Sequence, residues 1–104
     1  MSKLEINTDK GWTEAVINSN CDFEEFYRAA EILQNQFGIA FTLKLNDFES
    51  LYWDFQKDGC RLTLHYNLYV GLSIYPTKFK EAEEAENIAV LQVAEQLAEA
   101  LRCP

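Results

Sequence analysis

His65 is the only histidine in the chain, and the residues able to work with it follow from an Asp58-Gly59 dipeptide, a favoured two-residue hairpin turn. Folding the chain about that turn sets Lys57 opposite Cys60, Phe55 opposite Leu62, Asp54 opposite Thr63, Trp53 opposite Leu64, Tyr52 opposite His65 and Leu51 opposite Tyr66. Tyr52, Asp54, Thr63 and His65 then share one face, with Asp54 diagonal to His65. A carboxylate beside an imidazole raises its pKa. With a neighbouring Ser or Tyr, such a pair can serve as general base and nucleophile. Ser73 and Tyr75 from the following segment and Lys44 from the preceding one are expected to join them. His65, Asp54 and Tyr52 are therefore the candidates for chemistry. Solvated antiparallel strands carry the same residue types as ordinary cross-strand pairs, and a flat face excludes little water, so the plainer reading outweighs the catalytic one.

The same parity supports a binding argument. Tyr52, Tyr69 and Tyr75 alternate onto the side of His65, with only Gly71 and Ser73 between the last two. Tyrosine is enriched in protein interfaces, which makes Tyr52, His65, Tyr69 and Tyr75 the candidate binding set. High strand propensity accounts for tyrosines without any partner. Lys plus Arg number 9 against 17 for Asp plus Glu, a formal charge of −8. Such a field repels phosphate backbones and anionic lipid, so neither nucleic acid nor membrane is expected as a partner. A basic protein surface is the expected complement.

Other chemistry is poorly represented. The chain has no glycine-rich phosphate loop, no G-x-S-x-G, no H-E-x-x-H and no calcium loop. One histidine weighs against a His-based metal centre, and neither metal nor cofactor is expected. Cys21, Cys60 and Cys103 are odd in number, widely spaced and without a C-x-x-C pair. Three reduced thiols in a cytoplasmic protein are the simplest expectation, with Cys103 exposed. Residues 1–10 contain no apolar signal-peptide core, and no apolar run approaches the ~20 residues of a membrane span.

The elements that must position these residues are legible from period and punctuation. At 104 residues with 48% hydrophobic content, one domain spanning 1–104 with one core is expected. Phe23, Phe26, Tyr27, Ala30, Leu33 and Phe37 recur at helical steps, predicting a helix over 22–37 with Asp22 and Glu25 at capping-box spacing and Gly38 as its stop. Between 39 and 75 the period becomes two: Phe41, Leu43, Leu45; Leu51, Trp53, Phe55; Cys60, Leu62, Leu64, Tyr66; Val70, Leu72, Ile74. A tight turn is expected near Asn67. Thr77 is placed as the cap of a final helix over 78–102, striped by Ala89, Val93, Leu97 and Ala100 and widened by Val90, Ala94, Ala98 and Leu101. Glu81, Glu83, Glu84 and Glu86 would then complement its dipole. Ile88 falls on the polar side as an exposed aliphatic. Residues 4–6 and 12–17 read as two short strands joined near Asp9-Lys10-Gly11. The expected architecture is α+β: a two-layer sandwich with a mainly antiparallel sheet, two helices on one face, and the order β(β)-α-β-β-β-β-α.

The stretch Leu51-Tyr52-Trp53-Asp54-Phe55-Gln56, the Asp58-Gly59 turn and Leu62-Thr63-Leu64-His65-Tyr66 resemble a short, uncharacterised bacterial protein family of the domain-of-unknown-function type. The resemblance extends to length and element order over most of the chain and implies no activity or site residues. More loosely, the acidic α+β layout is similar to bacterial immunity proteins and small dimeric secretion chaperones, both of which bind proteins. The resulting expectation is a non-enzymatic, cytoplasmic, acidic protein-binding domain using its tyrosine-bearing sheet face. The alternatives are a small enzyme or ligand-binding domain centred on His65, Asp54 and Tyr52, and a homodimeric structural or chaperone-like protein.

Overall fold

The computed structural model describes residues 4–102, so the expectations for the first three residues and for Cys103 lie outside the described residues. The elements are β1 (Glu5–Asn7), β2 (Glu14–Asn18), α1 (Phe23–Gln36), β3 (Phe41–Asn46), β4 (Ser50–Lys57), β5 (Cys60–Asn67), β6 (Gly71–Pro76), a single 3-10 turn (Phe79–Glu81) and α2 (Glu84–Arg102). They form the α+β fold in the order read from the sequence. The sheet has the order β1-β2-β6-β5-β4-β3, and all its neighbours are antiparallel. Phe26 and Leu33 of α1 and Val90, Val93 and Leu97 of α2 pack with Ala15, Trp53, Phe55, Leu62, Leu64, Leu72 and Ile74 from one face of the sheet. Among the described residues, the opposite face bears no α-helix.

Local chemistry explains most boundaries. The Asp22 carboxylate accepts the N–H groups of Glu24 and Glu25 at 3.1 and 3.4 Å and so caps α1. Gly38, at φ 66°, turns the chain left-handed so that the Ile39 N–H reaches the Leu33 carbonyl at 3.1 Å. Asp58 and Gly59 have φ 54° and 81°, the conformations that a tight hairpin requires. The β4–β5 register matches the sequence reading at every pair from Leu51↔Tyr66 to Lys57↔Cys60. Tyr66 therefore points into the core, where its ring lies 4.9 Å from that of Phe23 and its hydroxyl donates to the Cys21 carbonyl at 2.8 Å. On α2, Ala89, Val90, Val93, Ala94, Leu97 and Ala98 are buried, while Ile88 is exposed.

Three elements depart from simple periodicity. In β3, Phe41 pairs with Phe55 but Leu43 pairs with Asp54, so Thr42 is an extra residue and the strand changes face there. Leu43 and Leu45 consequently point away from the helices, and Lys44 and Asn46 toward them. Lys44 lies with its ammonium 4.4 Å from the centre of the Trp53 ring, and Asn46 accepts the indole N–H at 2.9 Å. The expectation that Lys44 joins the His65 cluster is thus corrected. Between β5 and β6, residues 68–70 form the turn, and Val70 is exposed rather than part of the buried row. The final helix begins at Glu84 instead of Lys78. Phe79 takes φ 56°, which interrupts any helix running from Thr77. Helical structure resumes where the Glu86 carboxylate accepts the Glu83 N–H at 2.8 Å. Glu86 is buried, and that bond holds its carboxyl below the usual range, with the Lys78 ammonium 3.5 Å away adding to the effect.

Candidate functional site

The helix-free face gathers the expected residues. Tyr52 pairs with His65, and His65 with Ser73; Asp54 pairs with Thr63, and Thr63 with Tyr75. Antiparallel pairing puts the members of each pair side by side on the same face. The side chains form two separate sets. The His65 ring stacks on Tyr52 at 4.8 Å with a 20° tilt and meets Tyr75 at 5.6 Å, and its Nδ1 is 3.3 Å from Ser73 Oγ. Asp54 instead accepts a hydrogen bond from the Thr63 hydroxyl at 2.8 Å, and that hydroxyl is 2.9 Å from the hydroxyl of Thr77.

Asp54 therefore hydrogen-bonds Thr63, and the imidazole titrates in the direction opposite to that expected from a carboxylate partner. Burial, helped by the charge of Lys10, pushes His65 down to about 4. Ser73 is only 2% exposed, which leaves its hydroxyl little access to a substrate. The catalytic candidates His65, Asp54 and Tyr52 share a face, but no carboxylate–imidazole–hydroxyl relay connects them.

The depressed imidazole has a measurable consequence. Between its unfolded value near 6.5 and its folded value near 4, the unfolded chain binds the proton and the folded one does not. This contribution is fully present above about pH 6.5 and is lost as pH falls toward 4. Carboxylates titrate in the same window, so the effect is isolated by subtracting the stability–pH curve of His65→Phe from that of the unaltered protein. The difference is expected to slope between pH 6.5 and 4, with an imidazole proton resonance titrating near pH 4. A resonance titrating near 6.5 would remove the effect.

The tyrosines divide. Tyr75 stacks on Phe79 at 5.2 Å, and Phe79 meets Trp12 edge-on at 5.3 Å. The left-handed backbone of Phe79 thus lays an aromatic lid over that end of the face. Tyr75 is only 8% exposed, and its phenol is raised by burial and by Tyr52, Asp54 and Glu14. It is a packed residue, which corrects its place in the binding set. Tyr69 lies in the turn after β5 instead of on the sheet face, and it is 79% exposed. Its backbone N–H is held by the Asn67 side chain at 2.8 Å. Tyr52 remains half-buried on the face.

Apart from Tyr69, sequence alternation missed the apolar groups that are most exposed. Leu43 and Leu45, 49% and 55% exposed, flank Asp54 and Tyr52 across the β3–β4 pairing. Phe48 in the β3–β4 turn is 91% exposed, and Leu68, Tyr69 and Val70 are exposed in the β5–β6 turn. The two turns touch through a Leu68 N–H to Glu49 carbonyl bond of 3.2 Å. The available signal was a phenylalanine between two acids, Asp47-Phe48-Glu49, a position where a turn has no need of an aromatic ring.

Among the described residues, no three His, Cys, Asp or Glu side chains are arranged to hold a metal ion. Cys21 is pushed up to about 11, chiefly by burial, which disfavours a reactive thiolate. No helix among the described residues is long and apolar enough to cross a membrane.

Over residues 4–96 the chain is matched by a family model described as Protein of unknown function (DUF3630). No curated protein matches it.

Proposed function

We propose, for a chain that belongs to this DUF3630 family, that its role is non-enzymatic protein binding in the cytoplasm and that its partner is basic. The observation that carries this reading is the exposed apolar border of the helix-free face, formed by Leu43, Leu45, Phe48, Leu68, Tyr69 and Val70. Leu45 lies two residues before the β3–β4 turn that carries Phe48, and that turn is bonded to the β5–β6 turn that carries Leu68, Tyr69 and Val70. Exposed apolar groups gathered in this way mark interaction sites. Asp47, Glu49 and Asp54 lie among them, in a chain of net charge −8. Acid groups around an apolar centre steer an oppositely charged partner and then let it bury the apolar groups. This reading retains Tyr52 and Tyr69 from the candidate binding set. Leu43, Leu45 and Phe48 take the place of Tyr75.

The test is capture of partners from native cell extract at low salt, using the unaltered protein and a Leu45→Ser/Phe48→Ser/Tyr69→Ser variant. Loss of well-packed anchors weakens an interface by tenfold or more per residue, since each costs about 2 kcal/mol. The specific, salt-sensitive captured set is expected to disappear with the variant, whose far-ultraviolet circular dichroism should stay unchanged because all three side chains are exposed. An identical captured set would overturn the reading.

A further inference from the structure

The patch borders the end strand of the sheet, and the hydrogen bonds there have a direction. The Asp47 N–H donates to the Ser50 carbonyl at 2.7 Å, which places 47/50 at a hydrogen-bonded position of the β3–β4 ladder. Bonded and non-bonded pairs alternate along antiparallel strands. Within the register Leu43↔Asp54, Lys44↔Trp53, Leu45↔Tyr52 and Asn46↔Leu51, the bonded pairs are therefore those of Leu45 and Leu43. The amides and carbonyls of Lys44 and Asn46 point the other way, out of the sheet. β3 is last in the strand order, so among the described residues no strand receives them.

Natural sheets guard such edges with short strands, prolines, covering loops or charged side chains reaching over the rim. The opposite edge, β1, is three residues long. β3 has six residues and no proline, and its bulge lies at Thr42, leaving 43–46 regular. Its one charged residue, Lys44, is held against Trp53 on the helix side. Leu43 and Leu45 line the outer rim, each about half exposed. Lys44 is also the only basic residue between 37 and 56, a stretch containing Asp47, Glu49 and Asp54.

We infer that β3 is the docking edge of the proposed protein-binding function, a reading on which this inference rests, and that it takes an extended segment of a basic partner as a seventh strand. The segment runs antiparallel to β3, the more stable pairing. Its backbone bonds Lys44 and Asn46, and alternate β-branched side chains cover Leu43 and Leu45. Its N-terminal end lies beside Asp47 and Glu49, where lysine or arginine meets opposite charge.

The probe is the acetylated, amidated peptide Lys-Lys-Val-Thr-Val-Thr-Val-Thr, titrated into the full chain, with a Glu-Glu counterpart as control. The lysine peptide is expected to slow hydrogen exchange at the Lys44 and Asn46 amides at least tenfold, and the glutamate peptide is not. Lys44→Pro removes an outward N–H and leaves the bonds to β4 in place; it is expected to abolish that protection. Leu45→Lys, with a like charge on the rim, gives a second variant should the proline chain fail to fold. Perturbation of Tyr52 and Tyr69 without protection of Lys44 and Asn46 would overturn the edge while sparing the broader reading. Equal protection by both peptides, or by neither, would overturn the inference. So would dimerisation of the free protein that Lys44→Pro abolishes, since the edge would then belong to a second copy.

Discussion

Gly71→Ala is expected to destabilise the fold by more than about 3 kcal/mol, which for a domain of this size lowers Tm by more than about 12 °C. Two effects act together. Gly71 has φ 87°, a conformation strained for any residue with a Cβ. Its backbone also lies against the end of β2, so an added Cβ would sit 2.7 Å from Ser19 Cα and 2.9 Å from Ser19 C, and closer still to the Asn18 carbonyl oxygen. These are backbone atoms, which cannot rotate aside. The position closes the β5–β6 turn opposite Asn67, so the strain falls where Tyr69 is presented. Gly38→Ala is the control: φ is 66°, and nothing lies within 4 Å of the added Cβ. It should cost only the left-handed penalty of about 1 kcal/mol. Urea unfolding of both variants separates the clash from the backbone term, and equal losses would dispose of the clash.

Trp53→Ala is the second large loss, expected at about 3–5 kcal/mol. The indole meets Phe26 of α1 at 5.0 Å, Tyr27 at 5.8 Å and Phe41 of β3 at 5.2 Å, each near a right angle. It donates to Asn46 and lies beneath the Lys44 ammonium. One side chain thus joins the helix layer to the end strand. Its removal is expected to speed amide exchange in β3 more than in β5, because β5 lies between two bonded strands. Trp53→Phe keeps a ring but forfeits the hydrogen bond, worth about 1 kcal/mol. Uniform acceleration of exchange across the sheet would show that the residue supports the core generally and has no special hold on the edge.

These two positions mark where sequence reading is strong and where it stops. The inward orientation of Trp53 was legible, because Asp58-Gly59 ties the parity of β4 to that of β5 and both apolar rows then coincide. Its cross-strand partner was not. Alternation placed Leu43 and Leu45 with the buried rows, but the Thr42 bulge exchanges the faces of β3. The exchange brings Asn46 to the indole N–H, a buried donor that would be costly unpaired, and Lys44 to its ring. No period within residues 41–46 encodes that demand, which originates on another strand. The candidate site shows the same division. Tyr52, Asp54, Thr63, His65, Ser73 and Tyr75 were placed correctly on one face, yet the preference of Asp54 for Thr63 over His65 depends on side-chain reach. The burial of Tyr75 depends on Phe79, which a continuous helix from Lys78 would have carried elsewhere.

The primary structure by itself determined the capped first helix, the hairpin register, the α+β order and the acidic charge. Each rests on interactions within a few residues or on a two-residue turn whose backbone angles admit few alternatives. Tertiary packing alone decided which leucines face solvent, which tyrosine is covered and where the last helix starts. Those outcomes compare the burial of one ring or donor with another from a distant segment, and that balance exists only once the layers are in contact.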